Sequence, residues 1–433
     1  MVSLNASTEP QGDLGPQPWI SAAATRAVIA ALTADGAQVR FVGGCVRDAL
    51  AKRTVGDIDI ATPDTPETVI ALLERAGIKA VPTGIAHGTV TAVADGKPFE
   101  ITTLRRDEET DGRHAKVAFT DDWVLDAERR DFTINAMSAT PDGDVYDYNE
   151  GITDLAHGRV RFIGRADLRI QEDYLRILRF FRFFGAFGRP PIDRAALDAC
   201  RAHAAELKRL SGERVHKEFF KILLTPDPAE IAIHMRGVGV LQEILPEAGE
   251  IAPLRMLNWL ETRAVNIPGV APDALRHLAA MLDPEDAEHA ATAAADRLKL
   301  SNAERSRLID LAAPTLTVDA DLDEDGTTRI LRRIGPDRTR DLALLAWAGE
   351  LTRSARLPRP RTDAYIAILE QCANWIPPEF PLTGADVIAL GVEPGPGVGE
   401  LLERVEDWWE NGGYRATRQQ CLDRLFGEAE AQK

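Results

Sequence analysis

The chain has 433 residues, 45% of them hydrophobic and 27% charged, the balance of a globular protein rather than a disordered or fibrous one. That length exceeds one core and suits roughly two to four, and no run of 18 apolar residues offers a bilayer span. The formal net charge of −17 argues, taken alone, against a nucleic-acid partner, yet between residues 161 and 221 there are 14 Lys and Arg against 8 Asp and Glu, a local surplus of +6. A basic band of this kind suits either a confined phosphate groove or a plain solvated face.

In chain order, residues 1–18 are polar with Gly and Pro, and are expected to form a loose tail without the pattern of a secretory signal. A helix over 21–32 leads to a strand at 38–42 and then to Gly43-Gly44. A second strand is expected at 58–61 and a helix at 65–77, with Pro66 at a helix-start position. Strands at 89–94 and 99–104 flank Asp95-Gly96, a strong hairpin-turn pair. From about residue 165 the pattern is helical, broken by Pro- and Gly-containing turns near 188–192, 225–228, 245–252 and 267–273. The expected class is α+β, a small α/β head followed by an elongated all-α body. The divisions read as the tail at 1–18, a head at 19–155, a helical neck at 156–225 and a helical body and tail at 226–433. Cys45, Cys200, Cys372 and Cys421 are scattered, with no C-x-x-C pair and no His at zinc spacing, so a cytoplasmic protein without a disulfide framework is expected.

Three constellations carry chemistry. The first is Phe41-Val-Gly-Gly-Cys-Val-Arg-Asp48 followed by Val55-Gly-Asp-Ile-Asp-Ile60. Gly43-Gly44 ends a strand and opens a helix, where backbone N–H groups can approach a phosphate, and Arg47 one turn on can clamp it. Asp57 and Asp59, at i and i+2, place two carboxylates on one strand face with Ile58 and Ile60 on the other. Such a pair repels itself unless a cation offsets it, and Mg²⁺ favours carboxylates together with substrate phosphates. A solvated strand end with two unrelated acids is the alternative. Glu100, on the later strand, is a candidate third carboxylate.

The second constellation is Arg129-Arg-Asp-Phe-Thr-Ile-Asn135, which offers cation, acceptor and amide together, or else a capped helix start. The third is Glu172-Asp-Tyr-Leu-Arg-Ile-Leu-Arg-Phe-Phe-Arg-Phe183. Here Asp173, Arg176, Arg179 and Arg182 recur every third residue of an otherwise apolar helix. Buried charges need partners, so this stripe is either an internal ion-pair network or a site. As a site it has a specific chemistry. Cytosine and adenine each present an exocyclic amine beside a ring-nitrogen acceptor, which an Asp and an Arg complement, whereas uracil and guanine present the reverse polarity.

With Gly-Gly, Arg and D-x-D this close together, the chain resembles the nucleotidyltransferase superfamily. R-R-D-F-T-I-N-A and E-D-x-x-R-x-x-R-x-x-R-F further resemble signatures of class II tRNA nucleotidyltransferases and bacterial poly(A) polymerases. The likeness covers about residues 38–220 and is closest to bacterial CCA-adding members. It implies a nucleotidyltransferase-type head, Asp57 and Asp59 holding two Mg²⁺ ions, and CTP and ATP as substrates. It also implies a triphosphate held by Gly44, Arg47 and Arg130, with Asp131 at the sugar hydroxyl. Asp173 and Arg176 would select the base, and Arg179 and Arg182 would support it or touch the triphosphate. The partner implied is tRNA, gripped at its 3′ end and elbow, with no membrane; oligomeric state is left open. A poly(A) polymerase, a CC- or A-adding enzyme, a non-catalytic RNA-binding protein and a small-molecule nucleotidyltransferase are the rivals. Ser211, in Arg209-Leu-Ser-Gly-Glu-Arg214, reads as a helix N-cap, and the polar stretch 105–122 as the flexible loop carried by members that add the terminal A. His216 and His277 read as surface or packing residues, and Trp408-Trp409 as packing.

Overall fold

In the computed structural model, which describes residues 9–111, 114–354 and 356–431, the chain forms two compact units, 1–246 with 297–299 and 247–296 with 300–433. Residues 1–8 of the expected tail and residues 112 and 113 of the expected loop lie outside the described residues.

Within the first unit the described residues build an eight-stranded sheet. In chain order its strands are β1 (Gly12–Asp13), β2 (Arg40–Val42), β3 (Ile58–Thr62), β4 (Lys79–Gly84), β5 (Thr89–Ala94) and β6 (Lys97–Thr103), with β9 (Ser138–Ala139) and β10 (Asp144–Tyr146). A separate hairpin consists of β7 (Arg105–Asp111) and β8 (His114–Phe119). The order across the sheet is β1-β10-β9-β2-β3-β6-β5-β4, and β3 and β6 run parallel. One face is apolar: Phe41, Ile60, Val90 and Ile101 pack there with Leu32 of helix α2 (Ala23–Leu32) and Leu73 of α4 (Pro66–Arg75). Alternation along β3 sends Ile60 into that core and Asp59 to the opposite, open face.

Several details differ from the sequence expectation. Gly12–Asp13, inside the expected tail, pairs with Asp144 and Val145, and α1 (Pro18–Ser21) precedes α2. Strand β4 lies where no strand is expected, and residues 105–111 pair with 114–119 within the stretch expected to be a loop. Asp57 stands one residue before β3 begins.

The rest of the first unit is helical: α3 (Gly44–Leu50), α5 (Trp123–Glu128), α6 (Gly151–His157), α7 (Ala166–Glu172), α8 (Leu175–Phe187), α9 (Arg194–His203), α10 (Gly212–Leu223), α11 (Pro228–Gly237) and α12 (Val240–Ile244). The expected single helix from Glu172 is two helices, because Asp173 is extended (φ −158°, ψ 109°) and its Oδ1 accepts the Leu175 N–H at 3.1 Å. An aspartate that captures a nearby backbone donor competes with helix continuation. Phe132 packs on Phe162 and Phe183 with centroids 4.7 and 5.3 Å away, which fixes the Asp131 loop against α8.

The second unit is helical throughout its described residues apart from an isolated bridge, Ala248 to Leu282. Its helix Glu324–Arg353 is interrupted at Gly335 (φ 79°, ψ 166°), beside Pro336. Of the two tryptophans expected to pack, Trp409 is buried but Trp408 is exposed. His277 is wholly buried, its Nε2 2.5 Å from Glu261 Oε2, in a network rather than at the surface. Arg276 Nε donates to Glu261 Oε1 at 2.6 Å and its Nη1 to Asp341, while Arg307 bridges Asp341 and Asp273 at 2.8 and 3.0 Å. Arg276→Met removes a buried cation that serves both Glu261 and Asp341 and leaves them only His277 and Arg307, so it is expected to cost about 3 kcal/mol in a urea titration. A loss below about 1 kcal/mol would contradict this.

Candidate active site

A cleft of about 650 Å³ opens in the first unit between the open face of the sheet and α8. Gly43, Gly44, Arg47, Asp57, Asp59, Arg130, Asp131, Asp173, Arg176, Arg179 and Arg182 line it, so the three constellations converge although 139 residues separate Gly43 from Arg182 in sequence. Glu100 does not line the cleft, but it sits in register with Asp59 on the parallel neighbour β6. Arg129, Asn135, Phe183 and Arg214 line it as well. Asn135 and Arg129 stand inside the R-R-D-F-T-I-N motif; Arg214 stands in the element read as a helix cap. Ser211 does occupy the N-cap position of α10 but makes no side-chain cap bond.

Each side chain has a structural reason for its place. Gly43 takes φ +70° at the turn from β2 into α3, a conformation that favours glycine, and a Cβ there would stand 3.0 Å from Arg130 Nη1. Arg47 donates to Asn135 Oδ1 at 2.6 Å and to Asp48 at 2.8 Å. Asn135 in turn donates to Asp131 Oδ1 at 3.1 Å, and Arg179 Nε donates to Asp131 Oδ2 at 2.6 Å. Arg130 is braced by Asp126 at 3.1 Å and Arg182 by Glu218 at 2.6 Å. Asp173 and Arg176, the expected base-edge pair, are held separately. Arg214 Nη2 donates to Asp173 Oδ2 at 2.7 Å, and Arg176 donates to Glu172 and to the Arg169 carbonyl. The stripe on α8 is therefore an ion-pair network that also lines a cleft.

Seven arginines face four aspartates in the lining, a surplus of three positive charges inside an acidic protein. Burial, together with neighbouring Arg179 and Arg47, pulls the Arg182 guanidinium below its usual pKa despite Glu218. A polyanion bound among Arg47, Arg179 and Arg182 would relieve that crowding.

At the other end, burial, then Glu100 and Asp57, push the Asp59 carboxyl up to about 6 against the pull of Arg130. No preformed cluster of three or more metal-capable side chains exists among the described residues. The donor set that fits a divalent cation is thus the Asp57/Asp59 pair completed by substrate oxygens, and the mutual repulsion at Asp59 is what a cation would offset. For Asp131, burial raises the pKa, but Arg179 and the Asn135 bond outweigh it and hold the carboxyl below the ordinary range.

These shifts have opposite signs in stability. With its folded pKa raised from 3.8 to about 6, ionised Asp59 disfavours the metal-free fold above pH 6, and the penalty fades as pH falls toward 3.8. Asp131, with its pKa depressed, contributes stability that is complete above pH 3.8 and is lost below it. Asp59→Asn is therefore expected to melt a few degrees above the parent at pH 8 without metal, with the gap closing by pH 4. Equal melting temperatures at pH 8 would contradict the repulsion argument.

Residues 39–161 match the family model described as Poly A polymerase head domain, and 191–251 match the one described as probable RNA and SrmB-binding site of polymerase A. The CCA tRNA nucleotidyltransferase 1, mitochondrial, of Danio rerio is 35% identical over 399 residues, 90% of this chain and 87% of that one. The human protein of the same name is 34% identical over 394 residues, covering 89% and 86%. Among solved structures, the CCA-adding enzyme of Bacillus stearothermophilus in complex with CTP aligns with a TM-score of 0.72 at 25% identity, over 96% of this chain and 99% of that one.

Proposed function

The chain belongs to the CCA tRNA nucleotidyltransferase family, and from that membership we propose that it adds CCA to the 3′ end of tRNA from CTP and ATP, without a nucleic-acid template and with release of pyrophosphate. One observation carries the reading: a single cleft holds a carboxylate pair, Asp57 and Asp59, together with a base-complementary pair, Asp173 and Arg176.

In this reading the tRNA 3′ oxygen forms a bond to the α-phosphorus as the bond to the bridging oxygen breaks and pyrophosphate leaves. Gly44, Arg47 and Arg130 hold the triphosphate, with Arg179 and Arg182 beside it, and Asp131 takes the sugar hydroxyl. Asp57 and Asp59 would hold Mg²⁺, which when bound neutralises phosphate charge and activates the attacking oxygen. Asp173 accepts from the exocyclic amine of C or A while Arg176 donates to the adjacent ring nitrogen, so the protein takes the place of a template. Residues 19–155 supply the chemistry, 156–225 the base selection, and 226–433 the hold on the tRNA elbow, by shape and phosphate contacts. The four cysteines are free and buried, which suits a reducing compartment, the cytoplasm in our reading; relatives at 34–35% identity are named as mitochondrial. No helix among the described residues is long and apolar enough to cross a membrane.

The poly(A) polymerase description of both matching family models favours a second reading, synthesis of an A tail. Supplying triphosphates singly separates the two. On a tRNA lacking its last three nucleotides, CTP alone is expected to add the C residues and stop, and ATP is expected to add one residue only after them. UTP and GTP are expected to add nothing, and EDTA to stop every reaction until Mg²⁺ is restored. A ladder from ATP alone would establish the second reading.

A further inference from the structure

A second cavity of about 430 Å³ lies in the first unit where α3 and α8 end, one helical turn beyond the nucleotide cleft. Leu50, Leu155 and Ala156 form apolar wall, Phe187 an aromatic one, and Arg53 and Arg189 stand at it as cations; no acidic residue lines it. Its volume falls within the roughly 300–1,000 Å³ of small-molecule sites. Arg53 is fixed in place: its Nη2 donates to the Ala186 carbonyl at 2.5 Å and its guanidinium lies 4.1 Å from the Phe187 ring centroid. No carboxylate pairs with Arg53 or Arg189 among the described residues. The Arg189 stem rests against Gly158, where a Cβ would stand 2.6 Å from its Cγ.

The same Phe187 ring carries a second guanidinium, that of Arg47, 4.5 Å from its centroid. The ring that walls this cavity thus carries a cation from each pocket, Arg53 from its own and Arg47 from the nucleotide cleft. Two like charges on one ring repel, and neither the cation–π attraction nor the carbonyl bond neutralises Arg53. What the cavity lacks is an anion, and its walls ask that the anion bear a flat or apolar body.

We propose that this cavity is a second nucleotide-binding site, which takes a nucleoside monophosphate unit with its phosphate between Arg53 and Arg189 and its base against Phe187 and the Leu155 wall. The unit is either a free nucleotide or one nucleotide of a bound RNA. The site is separate from the nucleotide cleft and does not depend on which RNA is extended.

The test is equilibrium dialysis of radiolabelled 5′-AMP against the full chain with the nucleotide cleft saturated by CTP and no RNA present. The expected result is about one AMP bound per chain, weakened at least tenfold in Arg189→Ala and abolished in Ala156→Trp, which fills the cavity. Both variants are expected to keep the parent's CTP affinity, which shows that they fold, and their addition to truncated tRNA is expected to fall only if the occupant is an RNA nucleotide. AMP that stays bound when tRNA is added identifies a free nucleotide as the occupant, and AMP displaced by tRNA identifies an RNA nucleotide. Absence of AMP binding beside saturating CTP, or binding that neither substitution alters, overturns the proposal.

Discussion

Asp57→Ala is expected to reduce nucleotide addition by roughly a thousandfold or more while leaving the fold and triphosphate binding nearly intact. The magnitude follows from losing about 4 kcal/mol of metal-borne charge stabilisation, at about 1.4 kcal/mol per tenfold. The separation of effects follows from geometry. Asp57 is exposed, precedes β3 and braces nothing in the core, whereas the arginines that would hold the triphosphate are tied to Asn135, Asp126, Asp131 and Glu218. Asp59→Ala is expected to abolish addition equally. Its lesion differs, because Asp59 lies partly buried beside Glu100 and its loss relieves repulsion in the metal-free protein. Measured rates of CTP incorporation, paired with CTP binding in the absence of metal, check both substitutions. A purified Asp57→Ala protein that retains a tenth of the parent rate would remove the carboxylate pair from the chemistry and restore the non-catalytic RNA-binding reading.

The second large effect concerns choice of base. Arg176→Ala and Asp173→Ala are each expected to shrink the preference for CTP over UTP, and for ATP over GTP, by roughly tenfold to a hundredfold, since a bidentate base-edge contact discriminates by about 1–3 kcal/mol. Arg176 can be removed without stranding a charge, because Glu172 keeps Arg169 at 2.9 Å. Asp173→Ala deletes the acceptor for the Leu175 N–H and for Arg214, so a stability loss of about 1 kcal/mol accompanies it. The ratio of incorporation rates for the four triphosphates, taken at matched folded fraction, is the measurement. Unchanged ratios in both variants would show that the pair is only part of the ion-pair network.

The site was legible where residue type alone dictates chemistry. Two carboxylates at i and i+2, a Gly-Gly turn and an arginine one turn later are residue types that suit a phosphate and a metal, and 11 of the 12 residues named from sequence line one cleft. What stayed hidden depends on distance or on backbone. Spacing by threes reads as one continuous helix, and nothing in it reveals that Asp173 is extended and accepts the Leu175 N–H. Arg214 looked like part of a cap because its partner, Asp173, lies 41 residues earlier. Strand β7 is polar at every position, so residues 105–111 carry no apolar alternation by which the hairpin with 114–119 could be read. Strands of two or three residues, such as Ser138–Ala139 and Asp144–Tyr146, are shorter than any periodicity can register. In the second unit the helical pattern was readable, but the burial of His277, Glu261, Arg276 and Asp341 joins residues up to 80 positions apart and was not.

A cleft that holds the carboxylate pair and the base-edge pair together is expected to build a defined RNA end without a template. Purified protein, Mg²⁺, CTP and ATP are incubated with a tRNA transcript lacking its last three nucleotides, and product lengths are read on a sequencing gel. Growth by three nucleotides followed by arrest, dependent on both triphosphates, is the expected result. An unbounded ladder, or no extension by a folded protein, would contradict it.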